Sequence, residues 1–228
     1  MQHKHYFTRK ELLLWSLSTA LILLSYCLFD RGGVLRLLAS LIGIPSLLLG
    51  AKGNPLGQVL MIGFSLLYGY ISYTFAYYGE MITYLGMTMP MAVIALISWV
   101  RHPYNGNHAE VEVGSLTKTA LVFMIVSAAA VTAAFYFILR AFHTANLIPS
   151  TISVTTSYMA VYLAYKRSPY FATAYAANDL ILIVLWVLAS LSDTHYLSVV
   201  VCFAMFFIND IYGFLNWCRM RDRQAAGV

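Results

Sequence analysis

The chain has 228 residues, of which 61% are hydrophobic and 10% are charged, with a formal net charge of +5 and a mean hydropathy of +0.73. About a quarter of the residues in soluble domains are charged, so this composition excludes a soluble globular protein. A positive net charge is also typical of nucleic-acid-binding proteins, but the placement of the cations described below indicates membrane topology instead.

A helix that crosses a bilayer needs about 20 mostly apolar residues. Eight stretches meet this length and are numbered here as spans 1 to 8: 12–29, 34–50, 56–77, 81–100, 119–139, 147–165, 170–191 and 196–217. Span 1 is predicted to be retained, because it is longer than a signal-peptide core and no small-x-small cleavage site follows it. The sequence therefore predicts an all-α polytopic membrane protein with eight transmembrane helices and no extramembrane domain.

The basic residues are distributed unevenly between the two sides of the predicted membrane domain. An even number of spans places both termini on one side, and eleven cations fall there: Lys4, Arg9, Lys10, Lys52, Arg101, Lys118, Lys166, Arg167, Arg219, Arg221 and Arg223. The other side has Arg31, Arg36 and Arg140. By the positive-inside rule both termini are predicted to be cytoplasmic. No nucleic-acid partner is expected.

Two sequence patterns recur along the chain. The loop after span 2, AKGNP, and the loop after span 6, YKRSP, share Lys-x-x-Pro 114 residues apart. The ends of spans 4 and 8, ISWVR and LNWCR, share x-Trp-x-Arg 118 residues apart. These patterns predict two parallel three-helix bundles, formed by spans 2–4 and 6–8, with span 5 as a linker helix and span 1 as an additional N-terminal helix.

The repeat gives predicted boundaries at 1–33, 34–101, 102–145, 146–219 and 220–228, the last being a cytoplasmic tail. The loop 101–118 is rich in turn-forming and charged residues and is interpreted as a tether. Trp99 and Trp217 each lie near an arginine at a membrane edge, and such tryptophans typically anchor a helix in the interfacial belt. Both are therefore interpreted as belt anchors.

Two carboxylates lie inside predicted spans. Asp179 in YAANDLILIVLW and Asp210 in FFINDIYGFLNW each follow an asparagine, Asn178 and Asn209. An aspartate at the centre of a membrane helix costs about 2.5–3.5 kcal/mol on insertion scales, so such residues are candidates for function. Spans 7 and 8 are joined by a short loop, which predicts that the two pairs converge near the bilayer centre. The alternative is that they serve as polar links between helices.

Other side chains near this point suit a flat, polar ligand, because aromatic faces attract cations and amides pair with hydroxyls and carboxamides. The predicted contributors are Trp186, Tyr212, Gln58 and Tyr84. A row of tyrosines in span 3 is interpreted either as packing or as part of the pocket: Tyr70, Tyr73 and Tyr77. Glu80, at the external end of span 4, is a candidate gate, and Asp210 is a candidate for proton coupling.

An intramembrane enzyme is the competing class. Two intramembrane aspartates are typical of aspartyl proteolysis, but the Gly-x-Gly-Asp signature is absent from the sequence. A serine elbow, a His-Glu-x-x-His motif and a phosphate-binding loop are also absent. The three cysteines and six histidines fit no disulfide or zinc spacing. No enzyme activity, cofactor or metal is therefore predicted.

Four stretches carry a resemblance to a known family: AKGNPLGQVL, YYGEMITYLGM, YKRSPYFATAYAAND and YLSVVVCFAMFFINDIYGFLNW. They resemble the PnuC family of bacterial nicotinamide riboside transporters, over residues 37 to 219. The resemblance implies two parallel three-helix bundles and a linker helix, as in a full-length sugar-transporting SWEET. It also implies facilitated diffusion of a vitamin through the bacterial inner membrane, with trapping by a cytoplasmic kinase. Asp210 departs from the family pattern, which has an apolar residue there.

The resulting hypothesis places nicotinamide riboside near the midplane, with alternating access between the bundles. Trp186 and Tyr212 would hold the ring, and Asp179 would complement its positive charge. The carboxamide and the ribose hydroxyls would pair with three side-chain amides: Asn178, Asn209 and Gln58. Thiamine, riboflavin and deoxynucleosides, which other family members carry, stay open as alternatives. Assembly into a homo-oligomer is also left open.

Overall fold

The structure of the protein is a computed structural model that describes residues 6–74, 78–144 and 146–227. Within these ranges the chain forms nine α-helices: α1 (Arg9–Phe29), α2 (Val34–Ala51), α3 (Leu56–Thr74), α4 (Tyr78–Thr83), α5 (Met89–Arg101), α6 (Lys118–Ala141), α7 (Leu147–Tyr165), α8 (Tyr170–Ser190) and α9 (Leu197–Ala225). A hairpin of two short strands, β1 (Pro103–Tyr104) and β2 (Asn107–Val111), lies between α5 and α6.

Eight helical segments of the described chain are long and apolar enough to cross a membrane, which confirms the predicted number of spans. Spans 1 to 3 are α1 to α3, span 4 comprises α4 and α5 with the turn between them, and spans 5 to 8 are α6 to α9. The largest difference in bounds is at the C-terminus, where α9 continues to Ala225. Its last turns pack against the rest of the protein through the side chain of Met220, which is 4% exposed.

Span 4 is interrupted by a π-helical turn, Tyr84–Thr88, between α4 and α5. Pro90 lies directly after this turn. A proline lacks the backbone N–H and its ring clashes with the carbonyl four residues earlier, here that of Gly86. A wider turn relieves that clash, and the π-helical turn before Pro90 is such a π-bulge, a feature that is frequent at functional sites.

The helices of residues 34–101 and of residues 146–219, called here the first and second segments, have equivalent neighbours. α2 packs against α3 as α7 packs against α8, and α3 packs against span 4 as α8 packs against α9. Between segments, α2 contacts α9 and α7 contacts α5. The first helix of each segment therefore lies against the last helix of the other, while α1 packs against α2 and α9, and α6 packs against α7.

The described chain ends lie at one end of the helical bundle, called the terminal end. The hairpin is also there, and loop 101–118 bonds to both segments. The backbone N–H of Val111 donates to the Gly53 carbonyl at 2.9 Å, and that of Gly114 donates to the Arg167 carbonyl at 2.9 Å. Gln224 of α9 donates to the Val111 carbonyl at 3.0 Å. The loop interpreted as a tether is thus a folded hairpin docked across the two segments.

Two buried tryptophans close the terminal end. The Trp99 Nε1–H donates to the Ala164 carbonyl, and the Trp217 Nε1–H donates to the Gly50 carbonyl, each at 2.8 Å. The two rings lie 5.3 Å apart, and Phe171 packs edge-on against both. The interpretation as belt anchors is wrong, since neither ring is exposed. The indoles instead satisfy carbonyls in the last turns of α2 and α7, which a helix leaves without partners. Trp99, Phe171 and Trp217 are called the tryptophan seal.

Candidate functional site

Asp179 of α8 and Asp210 of α9 meet inside the bundle. Each is 4% exposed, and their side chains interact directly across the α8–α9 interface. The spacing of spans 7 and 8 predicts this convergence. Within the part of the chain that the structure describes, neither carboxyl group forms an ion pair with Lys, Arg or His. The pair is therefore two adjacent buried carboxyl groups without a cationic partner among the described residues.

Two further polar side chains face this pair. Gln58 of α3 and Tyr175, one turn before Asp179, line a small cavity together with Asp210. The Gln58 Oε1, the Tyr175 hydroxyl and the Asp179 Oδ2 are buried without a hydrogen-bond partner among the described residues. A buried polar group without a partner costs about 1–3 kcal/mol, so several at one point indicate a site for a ligand. Gln58, Tyr175, Asp179 and Asp210 are called the polar cluster.

An aromatic cluster adjoins the polar cluster. It consists of Phe64, Tyr68, Tyr84 and Phe206. The ring centroids of Tyr68 and Tyr84 are 4.7 Å apart, and Phe64 lies 5.4 Å from Tyr68 and 5.7 Å from Phe206. Tyr84 is also within electrostatic contact of Asp179. The sequence predicts Tyr84 but misses Phe64 and Tyr68, whose i, i+4 spacing on α3 is the signal that places both on one helix face.

The asparagines of the two Asn-Asp pairs make contacts between helices. The Ser153 hydroxyl donates to the Asn178 Oδ1 at 3.0 Å, and the Thr156 hydroxyl donates to the same atom at 2.9 Å. The Asn209 Nδ2 donates to the Ser18 hydroxyl of α1 at 3.0 Å. Both asparagines thus form hydrogen bonds between helices, which is the alternative that the sequence left open. The Asn209 Oδ1 lacks a partner among the described residues.

The predicted ring-holding residues lie outside the polar cluster. Trp186 packs against Tyr196 at 5.3 Å and against Tyr68 at 6.4 Å, toward the end opposite the termini, called the far end. The Tyr212 hydroxyl donates to the Glu11 carboxylate at 2.8 Å and so faces α1. In this conformation the structure therefore does not bring Trp186 and Tyr212 together with the aspartates.

The remaining predictions concern the far end of spans 3 and 4. Tyr70 and Tyr73 are 54% and 58% exposed, which places them on the outer surface rather than in a pocket, and Tyr77 lies outside the described residues. Glu80 is partly buried at the start of span 4 and is within electrostatic contact of Tyr68 and Tyr84. It is therefore next to the aromatic cluster on its far-end side.

The site is closed in this conformation. The cavity bounded by Gln58, Tyr175 and Asp210 has a volume of about 20 Å³, enough for about one water molecule, whereas small-molecule pockets typically measure about 300–1,000 Å³. Phe171 of the tryptophan seal lines the same cavity. Across the described chain, no three His, Cys, Asp or Glu side chains converge as metal ligands.

The comparisons with known proteins agree with this architecture. The profile of the family described as "Nicotinamide mononucleotide transporter" matches residues 33–219. The nicotinamide riboside transporter PnuC of Neisseria mucosa is 26% identical over 202 residues, which cover 87% of this chain and 77% of that protein. A crystal structure of the vitamin B3 transporter PnuC superposes with a TM-score of 0.81 at 22% identity, covering 95% of this chain and 94% of the other.

The structural likeness confirms the PnuC-like arrangement of eight spans, and the family match covers most of the chain. The resemblance seen in the sequence is thereby confirmed. The protein is a multi-pass membrane transporter rather than an enzyme, and it belongs to the nicotinamide mononucleotide transporter family.

Proposed function

We propose that the protein transports nicotinamide riboside by facilitated diffusion. The observation that carries this proposal is the buried pair Asp179–Asp210, which has no cationic partner among the described residues. Two carboxylates in contact within a low-dielectric interior repel each other unless a cation or a proton is shared between them. The pyridinium ring of the riboside supplies such a cation.

The adjoining clusters suggest how the riboside lies in the site. Its ring would pack against the aromatic cluster, next to Tyr84, with its positive charge toward Asp179. The ribose hydroxyls and the carboxamide would pair with the unpartnered atoms of Gln58 and Tyr175. Trp186 and Tyr212 would reach the ring only after the surrounding helices rearrange, and their predicted role is proposed for a more open conformation.

The same charges favour the riboside over the mononucleotide. A phosphate group would approach Asp179, Asp210 and Glu80, and no lysine or arginine lies among the residues of the polar and aromatic clusters. Repulsion and the cost of desolvating a phosphate would both oppose binding. Uncharged riboflavin and deoxynucleosides would leave the carboxylate pair uncompensated. Thiamine is cationic, so the same observation makes it the second candidate.

Transport requires a larger cavity than the structure holds. The equivalent helix contacts of the first and second segments support their division into two bundles, which we propose move relative to each other in alternating access. The excess of cations at the terminal end favours a cytoplasmic position for both termini, in the inner membrane of a bacterium. In this arrangement the tryptophan seal closes the site toward the cytoplasm.

Facilitated diffusion has no energy source of its own and only equalises the electrochemical potential of the substrate on the two sides. The chain carries no phosphate-binding loop that would couple transport to ATP. We therefore propose that a cytoplasmic kinase phosphorylates the riboside after entry. The added phosphate would also prevent return through the site, since the polar cluster has two carboxyl groups and no lysine or arginine. Partnership with that kinase and assembly into a homo-oligomer remain predictions.

Proton coupling is a second proposal for the same pair. A proton held between Asp179 and Asp210 would have to leave when a cation binds, and this exchange would couple proton and substrate movement. Glu80, near Tyr84, would be the gate on the far-end side. Uptake into proteoliposomes should then fall with a protonophore in the wild type but not in Asp210→Asn. Uptake that is insensitive to the protonophore contradicts the coupling and leaves facilitated diffusion.

Binding to purified protein tests the substrate. Calorimetry should show nicotinamide riboside binding to the wild type, strong loss of binding in Asp179→Asn, and unchanged binding in Asp222→Asn, which removes an exposed carboxylate of α9. Tighter binding of thiamine than of the riboside would reassign the substrate. Riboside uptake without mononucleotide uptake in proteoliposomes would support the argument from charge, and the reverse would contradict it.

A further inference from the structure

We infer that the terminal end holds a second site, which binds a phosphate-bearing anion. A cavity of about 690 Å³ opens there between the start of α1, the turn joining α2 to α3, strand β2 and the last turns of α9. It lies apart from the polar cluster, none of whose members line it. Its volume falls in the range of small-molecule pockets, about 300–1,000 Å³.

The cavity carries an excess of positive charge. Five cations line it: Arg9, Lys10, Lys52, Arg219 and Arg223. The two lining carboxylates already have partners. Glu11 pairs with Lys52 at 3.1 Å, and Glu110 pairs with Arg223. Arg9, Lys10 and Arg219 form no ion pair with any carboxylate of the described residues.

Membrane topology accounts for cations at this end but not for their convergence. The positive-inside rule is satisfied by basic residues anywhere on the correct side. Here cations from α1, from the α2–α3 turn and from α9, which are distant in sequence, face one cavity. The N-terminal turn of α1 also borders it, and the positive end of a helix dipole favours anions.

The donors in this cavity match a phosphate group. Arg9 and Arg219 offer guanidinium groups, which bind phosphate oxygens through two parallel hydrogen bonds. The Tyr6 hydroxyl accepts a bond from Asn54 at 2.8 Å and keeps its own proton for donation. Burial raises the pKa of the Tyr6 phenol, so that group stays neutral near pH 7. A bound phosphate would connect α1, which lies outside both segments, to the end of α9.

Inorganic phosphate is a suitable first probe, with purified full-length protein in detergent. The unfolding temperature should rise with potassium phosphate relative to potassium chloride at equal ionic strength. Phosphate affinity should fall about tenfold in Arg9→Gln and in Arg219→Gln, because each loses a hydrogen bond to a charged group. Arg101→Gln and Lys118→Gln remove exposed cations of the same side that do not line the cavity, and they should leave the affinity unchanged.

The phosphate could come from a soluble molecule or from a lipid headgroup, and reconstitution separates the two. Nanodiscs of phosphatidylcholine are compared with nanodiscs that also contain phosphatidylglycerol. An effect of free phosphate that needs Arg9 and Arg219 supports a soluble ligand. Stabilisation by phosphatidylglycerol alone, lost in the same two variants, supports a lipid headgroup in the same site. Equal responses in site variants and controls, or no response to either probe, would overturn the proposal.

Discussion

The first and second segments share their backbone contacts but not their chemistry. Trp99 bonds to the second segment and Trp217 bonds to the first, with equal 2.8 Å distances. The position 114 residues before Asp179 is Ser65, and the position 118 residues before Asp210 is Ala92. Both segments thus contribute one tryptophan to the closure of the terminal end, while both carboxyl groups of the polar cluster come from the second segment. A repeated scaffold can therefore carry a ligand site that is not repeated.

The turns after α2 and α7 show a second difference. Each of these two turns contains a residue in the left-handed conformation, Gly53 with φ +67° and Arg167 with φ +55°. The following N–H groups, of Asn54 and Ser168, donate to the Leu49 and Leu163 carbonyls at 3.0 Å each. Glycine adopts this conformation freely, whereas other residues are strained by it. Burial of the Arg167 guanidinium also lowers its pKa, because the charged form loses contact with water. The turn in the second segment therefore combines backbone strain with a desolvation cost.

The largest expected effect comes from the aspartate that distinguishes the segments. Asp179→Asn should weaken riboside binding by about thirtyfold or more, because loss of one partner of a buried charge pair costs about 2–5 kcal/mol. Ser65→Ala, at the equivalent position of the first segment, should weaken binding less than about threefold, because it removes no charge. Calorimetry on both variants makes the comparison. Similar losses in the two would show that the segments contribute equally.

Next in size is the effect of the tryptophan seal. Trp99→Phe and Trp217→Phe keep an aromatic ring but leave the Ala164 or Gly50 carbonyl buried without its donor. Each should reduce the free energy of unfolding by about 1–3 kcal/mol. Denaturant unfolding in detergent micelles gives both values. If the two free energies of unfolding agree within about 0.5 kcal/mol, the two tryptophans contribute equally to the stability of the seal. An effect confined to one tryptophan contradicts this.

The left-handed turns predict effects of opposite sign. Arg167→Gly should raise the free energy of unfolding by about 1 kcal/mol, because glycine removes the backbone strain. Gly53→Ala should lower it by about 1–2 kcal/mol, and its new methyl group would lie 3.1 Å from the Met220 Cε. Arg167→Ala is the control, since it removes the guanidinium but keeps the strain. If Arg167→Ala stabilises as much as Arg167→Gly, the strain is not the cause.

The smallest expected effect lies at the far end, away from the seal. Asp193 accepts hydrogen bonds from the backbone N–H of His195 at 3.0 Å and from its ring at 2.6 Å, and the backbone bond is the main reason that the pKa of Asp193 is lowered. This stabilisation is present above the unfolded pKa of about 3.9 and is lost as the pH falls through the lower folded value. Because the site is exposed, the loss is small.

Melting curves between pH 6 and pH 3 measure this acid response. Asp193→Asn keeps an acceptor that does not titrate, so the small decrease in melting temperature below pH 4 should be reduced in this variant. Trp217→Phe should retain the wild-type decrease, because the tryptophan seal and the Asp193–His195 contact lie at opposite ends of the bundle. An acid response that changes with the seal would show that the two ends are linked.

The sequence predicts features that depend on local signals. Span length, the turns after α2 and α7, and the charge asymmetry follow from hydropathy, from Lys-x-x-Pro and from the distribution of lysine and arginine. The seal could not be predicted, because a tryptophan near an arginine at a membrane edge has the same local pattern whether it faces lipid or a neighbouring helix. The Tyr212 contact with Glu11 joins residues 201 positions apart, and no local pattern specifies it.

The measurement that tests the central claim most directly compares two forms of the ligand on purified protein. Nicotinamide riboside carries a positive ring, and its dihydro form has nearly the same shape without the charge. If Asp179 and Asp210 recognise that charge, calorimetry should show the oxidised form binding at least about tenfold more tightly to the wild type, and this preference should disappear in Asp179→Asn. Equal binding of the two forms to the wild type would contradict recognition by the carboxylate pair.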